Sequence, residues 1–343
     1  MPTRIHFFGH EPGQDVMAMA AAMGIGEVAA KVGADVHRFD RIMDEGPRRW
    51  VASEEADADL FVFVRGYSVC EAVSEGAARA KTLGKPCLFF HFADDTTPIR
   101  PDYGVVFRAS LLASQQGPHE HVFPALCDDM AREAGGFRPR KKSSDPAAGP
   151  AVGFCGYVGT PWQRMMLRLQ GRDRKVLGLS LRNEALRVLG RSDRIRANFI
   201  RRTQFWGGAI SRFRGENAEA KRRVRQEYID NLAGSEYVLC LRGAGNFSYR
   251  FYETLAMGRV PLFINTDNRL PFEDAIDWQK HVVWIEQDEL PEIANRVADF
   301  HAALSDEAFQ QLQRDNRQLW EDYFRPTEAF DQTLKRVIDP PQA

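Results

Sequence analysis

Eight residues in one short stretch carry the chemistry of this chain: Arg242, Gly243, Gly245, Asn246, Ser248, Tyr249, Arg250 and Glu253. Two arginines offer planar cations whose geometry fits phosphate oxygens. Two glycines let a ligand approach backbone N–H groups without a Cβ in the way. Asn246 or Ser248 would cap a helix. Glu253 lies three residues after Arg250 on one helical face, where its carboxylate would accept hydrogen bonds from a ribose diol or hold the arginine in place. These residue types in this order suit a nucleoside diphosphate. A glycine turn, a capped helix and a surface Arg–Glu pair would account for the same letters separately, but less well for their combination.

The elements that must position these groups are legible around them. Tyr237 to Leu241 is a short apolar run of strand type, Phe247 to Met257 has apolar residues at helical spacing, Gly258 suits the position past a helix end, and Val260 to Ile264 resumes a strand. Such a βαβ unit has parallel strands and a right-handed crossover, which places the Arg242–Asn246 turn at the carboxyl edge of a sheet, facing a helix amino terminus where anions bind. The turn lacks the third glycine and the downstream acid of a dinucleotide fingerprint, which argues against a nicotinamide-dependent oxidoreductase.

In order and spacing this stretch resembles the nucleotide-sugar-binding half of exostosin-type glycosyltransferases (family 47). The resemblance rests on Leu239-Cys240-Leu241-Arg242-Gly243, Asn246-Phe247-Ser248, Arg250-Phe251-Tyr252-Glu253, Ala256-Met257-Gly258-Arg259-Val260-Pro261, Leu270-Pro271-Phe272 and Ile276-Asp277-Trp278. It covers about residues 195 to 295 and weakens towards the amino terminus. It implies a UDP-sugar donor, a glycan or glycoconjugate acceptor and an inverting single displacement. The alternative is a non-catalytic nucleotide- or sugar-binding subunit of a glycan-assembly system, which would share the same binding residues.

The chain has 343 residues, a length that suits two domains. A net charge of −1 gives no support to general nucleic-acid binding, and nucleic acid is not an expected partner. Five cysteines, with no CxxC pair, read as reduced core residues. With no signal-peptide pattern or long apolar span, the expected location is cytoplasmic, without a transmembrane segment but compatible with peripheral membrane association.

The first half alternates strand and helix: Thr3–Phe8, a helical stretch from Asp15 to Val32, a strand over Val36–Phe39, Leu60–Val64, a helix over Ser68–Leu83 and a strand over Pro86–Phe92. That order implies a doubly wound parallel sheet. Composition places a linker over 141–150 in the Gly136–Pro150 segment. It separates an acceptor-side domain (1–140) from a nucleotide-sugar domain (151–318), with a carboxyl-terminal helix (319–343) that would cross back to the first. The second domain opens with a strand at Ala151–Cys155 and a helix over Trp162–Leu169 with Thr160 as its cap. Together with the resemblance, this predicts an α/β protein of the GT-B architecture: two Rossmann-like domains facing each other across a cleft.

Further site residues follow. The basic stretch from 191 to 225 is mostly a solvated helical face, but Arg201 and Arg202 interrupt an aromatic run, and a buried arginine needs an anionic partner, here the diphosphate. Asp267, in a polar loop at a strand end, would face the sugar or simply cap a turn. The acceptor hydroxyl needs a general base from the first domain. Asp94 or Asp95, after the strand PCLFFHF, are preferred to His10 or Glu11 after TRIHFF. No DxD motif follows a strand, so no metal or other cofactor is expected.

Overall fold

The computed structural model describes residues 2–8, 50–64, 69–91, 93–143, 149–211 and 215–338. Two parallel sheets organise them. The first contains β1 (Thr3–Phe8), β2 (Trp50–Ala52), β3 (Leu60–Val64), β4 (Cys87–His91), β5 (Val105–Arg108) and β6 (Glu120–Val122), in the spatial order β2-β1-β3-β4-β5-β6. Helix α1 (Val69–Thr82) connects β3 to β4, and Gly84, with φ of 63°, lies just past its end. A short α2 (Met130–Glu133) leads towards the second sheet.

That sheet has β7 (Ala151–Tyr157), β8 (Arg196–Arg202), β11 (Tyr237–Cys240), β12 (Val260–Asn265) and β13 (Val283–Glu286), in the order β13-β12-β11-β7-β8. A two-stranded antiparallel ribbon, β9 (Ile210–Ser211) with β10 (Gly215–Glu216), stands apart. The helices are α3 (Pro161–Leu169), α4 (Asp173–Leu189), α5 (Ala218–Ala233), α6 (Tyr249–Ala256), α7 (Ile293–Ala303), α8 (Asp306–Tyr323) and α9 (Pro326–Ile338).

The residues explain the architecture. A parallel strand covered on both faces must be apolar throughout, and β4 (CLFFH) and β11 (YVLC) are buried at every position. Thr160 and Gln163 cap α3 reciprocally behind Pro161, a full capping box. Gly258 ends α6 in the left-handed region, so that the N–H of Arg259 reaches back to the carbonyl of Thr254.

The carboxyl edges of the two sheets face each other. Loops after β4 and β5 of the first domain meet loops after β11 and β12 of the second: Ser110 Oγ accepts from the Asn246 N–H at 2.9 Å, and the Ser114 N–H donates to Asp267 Oδ1 at 3.0 Å. This is the GT-B arrangement, two Rossmann-like α/β domains across a cleft.

Composition alone did not show where the chain changes cores. Ala125, Cys127, Met130 and Ala131 already pack with Val238, Phe251 and Leu255 of the second domain. The polar stretch that follows is partly tied down, since Lys142 Nζ donates to the carbonyls of His301 and Leu304. In the other direction, Ala329, Phe330 and Leu334 of α9 pack into the first-domain core with Ile5, Leu60, Val62 and Phe90.

Strands β2, β5 and β6 were not legible from the sequence. They are short, and β6 carries the buried Glu120, which pairs with the buried Arg108 of β5 at 3.0 Å, so no apolar run marks it. His10 and Glu11, the helix expected over 15–32 and the strand expected over 36–39 lie outside the described residues.

Candidate functional site

The turn between β11 and α6 is built by close approach. The Gly243 N–H bonds the Phe247 carbonyl at 3.2 Å, so α6 starts at Tyr249 rather than at Phe247. Helix α4 presses on the same turn, and a Cβ at Gly178 would stand 2.2 Å from the Gly243 oxygen. Arg250, in the first turn of α6, runs beneath β7. One terminal nitrogen donates to the Cys155 carbonyl at 2.8 Å, and the guanidinium lies over the Phe154 ring, 4.5 Å from its centroid. A Cβ at Gly156 would come within 2.7 Å of Arg250 Nη2, so glycine there leaves the arginine its room.

Arg182 of α4 converges on the same place. It donates to the carbonyls of Tyr157 at 2.5 Å and Arg242 at 3.3 Å. Burial, followed by the neighbouring Arg250 charge, pushes its pKa down to about 9. Among the described residues neither Arg182 nor Arg250 forms an ion pair, and the Nε of each is buried without an acceptor. Two guanidinium groups therefore lie close together in a desolvated place without a carboxylate bonded to either.

They open onto a cavity of about 460 Å³ in the interdomain cleft. Lys175, Arg182, Arg202, Arg225 and Arg250 line it, against two carboxylates, Asp94 and Glu253. Gly243, Gly245, Ser248 and Tyr249 form the wall at the amino-terminal end of α6, and Asp94 is the first domain's contribution. Glu253 is held from behind by the Tyr228 hydroxyl and lies 4.0 Å from Arg225. Burial and the Glu253 charge keep Tyr228 protonated, with its pKa well above the ordinary value, so the phenol donates and the carboxylate accepts. Arg225 is fixed by Glu133 at 2.5 Å and Asp128 at 3.3 Å.

The structure thus gathers Gly243, Gly245, Ser248, Tyr249, Arg250, Glu253, Arg202 and Asp94 around one cavity, and it places the other expected residues elsewhere. Arg242 is buried on the far side of its turn, where Nη2 donates to the Ala244 carbonyl; its side chain does not line the cavity. Asn246 is engaged in an interdomain junction. Its N–H takes Ser110 Oγ, its amide donates to the carbonyls of Leu111 and Asp267, and its Oδ1 accepts from Thr266.

Asp267, at φ of 63°, accepts from the N–H and hydroxyl of Ser114 and so joins the domains. Arg201 donates to the Leu186 carbonyl on the opposite side of β8 from Arg202, because adjacent strand residues point to opposite faces. Asp95 is bound to His91 at 2.6 Å and Arg108 at 3.1 Å. The His91 hydrogen bond, with the charges of His91 and Arg108, lowers its pKa to about 2, which leaves it too weak a base to take an acceptor proton. Arg250 and Glu253 are also more buried than a surface pair, and Arg250 contributes packing as well as charge.

Arg182, Arg225, Lys175 and Tyr228 were missed by sequence reasoning. The spacing of Arg182 within α4 is that of an ordinary surface cation, and its burial comes only from β7 and the glycine turn packing over it. Among the described residues no group of three or more His, Cys, Asp or Glu is placed to hold a metal ion.

Residues 163–300 match the Exostosin GT47 domain. Exostosin-1 of Drosophila melanogaster is 30% identical over 114 residues, which is 33% of this chain and 14% of that protein. Exostosin-1a of Danio rerio is 26% identical over 203 residues, 58% of this chain and 27% of that protein. The chain therefore spans less than a third of the length of either relative. A glycosyltransferase from Rickettsia africae, a solved structure, aligns over 99% of both chains with a TM-score of 0.42 and 10% identity. The matched segment, residues 163–300, contains the ordered motifs from Leu239 to Trp278, so this part of the chain is similar to the exostosin GT47 domain.

Proposed function

We propose that the protein is a glycosyltransferase that moves a sugar from a nucleotide-sugar donor, with UDP the expected carrier, to a glycan or glycoconjugate hydroxyl. The observation that carries this reading is the half-buried pair Arg182 and Arg250 facing the cavity without a carboxylate bonded to either. Burial and the Arg250 charge disfavour the Arg182 cation by itself, and a diphosphate beside it would favour it.

In this reading the diphosphate lies between Arg182, Arg250 and the amino-terminal end of α6, and the Gly243–Gly245 backbone approaches it closely. Glu253, oriented by Tyr228 and Arg225, accepts from the ribose hydroxyls. The acceptor oxygen attacks the anomeric carbon from the first-domain side. Its proton passes to Asp94, the bond from the anomeric carbon to the diphosphate oxygen breaks, and the charge left on the nucleoside diphosphate is met by the two arginines. A single displacement of this kind inverts the anomeric centre. The arginines and the helix dipole supply the positive charge, so the proposed reaction needs no divalent metal.

The test is titration calorimetry with a panel of nucleoside diphosphates, in chelator and then in magnesium, on wild type and on Arg250→Ala. Loss of one charge-assisted contact should weaken binding of the preferred diphosphate about ten- to hundredfold. Equal affinity in the variant removes the reading. Tight binding with no transfer to any acceptor, unchanged by Asp94→Asn, would instead identify a non-catalytic binding subunit.

A further inference from the structure

Helix α3 turns its apolar side outwards. Trp162, Met165 and Leu169 are 65%, 46% and 75% exposed, and together with the partly exposed Met166 they occupy one face at helical spacing. Gln163, Arg164 and Leu167 lie on the other side, none of them exposed, and no residue of the helix is fully buried. The helix is therefore amphipathic in the reverse sense to an ordinary surface helix, whose apolar stripe is its means of attachment to the core. A further exposed leucine, Leu177, sits on α4, the helix that packs against it.

Cations surround this face. Arg168 near the end of α3, Arg172 in the turn and Lys175 at the start of α4 are all exposed, and from Pro161 to Lys175 the one acidic residue is Asp173. Among the described residues none of these three forms an ion pair. A second copy of this chain is a poor cover, because a two-fold interface would set these cations against their own equivalents. A surface combining an interfacial tryptophan, flexible apolar side chains and like-signed cations is complementary to an anionic bilayer, where the apolar face sinks to the level of the acyl boundary and the cations meet headgroup phosphates.

We infer that α3 is a membrane-surface anchor that docks the second domain on anionic lipid through Trp162, Met165 and Leu169, with Arg168, Arg172 and Lys175 as the electrostatic contacts. Lys175 also lines the cavity, so docking brings the mouth of the candidate site to the headgroup layer. The inference does not rest on the proposed transfer reaction.

The experiment is flotation of the full chain with vesicles of phosphatidylcholine alone and of phosphatidylcholine with phosphatidylglycerol. The wild type should float with the anionic vesicles, be released by high salt and remain behind with the neutral ones. Arg168→Glu should weaken binding by at least about fivefold, the worth of one cation near a charged surface. Trp162→Glu with Leu169→Glu should abolish it. All three changes are at exposed positions, and an unchanged circular dichroism spectrum and melting temperature in the same samples show that the second domain remains folded. No flotation of the wild type overturns the inference. Equal flotation of the double variant does so too, as does concentration-dependent self-association that the double variant abolishes without any vesicle binding.

Discussion

Burial and the neighbouring Arg250 disfavour the charge on Arg182, and the ligand-free protein carries that cost. Arg182→Met keeps much of the volume and removes one charge. It should raise the melting temperature of the ligand-free protein while weakening nucleoside diphosphate binding about tenfold or more. Scanning calorimetry with and without ligand checks both directions at once, and a variant that loses stability would show Arg182 to be a structural tie. At the first-domain wall the two neighbouring aspartates separate cleanly. Asp94→Asn should lower turnover with nucleotide affinity retained. Asp95→Asn should lower stability by about 1–3 kcal/mol, since it leaves the buried Arg108 with one fewer charged partner.

His301 gives a pH dependence with a definite sign. Burial, followed by the charge of Lys142, lowers its pKa to about 4 from an ordinary 6.5. Between those values the unfolded chain binds a proton that the folded chain refuses, so stability present above pH 6.5 is lost as the pH falls through that window. His301→Gln should flatten the melting temperature against pH over the same range, as read by thermal melts in matched buffers.

At the scale of elements, much of the site depends on where a Cβ is missing. Gly156→Ala would set a methyl 2.7 Å from the Arg250 guanidinium. It should weaken nucleotide binding with little change in fold, because the end of a flexible side chain can move aside. Gly178→Ala is different: its methyl would meet the Gly243 carbonyl at 2.2 Å, and a backbone cannot yield in the same way. That variant should lose 1–3 kcal/mol or more of stability along with its affinity, as chemical denaturation would measure.

The βαβ unit from Tyr237 to Asn265 was legible because its signals are local: an apolar run, a glycine turn, helical spacing and a terminating Gly258. Arg182 was not legible, because a cation in mid-helix looks the same whether the far side of the helix meets water or a strand. Arg201 and Arg202 occupy an intermediate position. Reading Arg196–Arg202 as a strand would have assigned only one of the pair to the cleft, whereas reading it as an aromatic run kept both. Asn246 and Asp267 stood at the right loops, but a sequence cannot tell a polar side chain that meets a ligand from one that meets the opposite domain.

For the whole molecule, α9 inserts Ala329, Phe330 and Leu334 into the first-domain core while α8, just before it, packs on α6 of the second. The carboxyl-terminal helices therefore strap the two domains together. Phe330→Ala should cost about 3–5 kcal/mol, and the loss should appear in both domains' unfolding rather than in one alone.

Asn246 supplies the other link, and its position has a kinetic consequence. The turn that would cradle a diphosphate is the one bolted, through Asn246, to Ser110 and Leu111 of the opposite domain. Any opening of the cleft wide enough to free a spent nucleotide must either break those bonds or carry the turn away from its own helix. The grip on the leaving product and the angle between the domains are then one equilibrium, and the slowest step of a catalytic cycle would be the joint release of Asn246 and Asp267 from the first-domain loop.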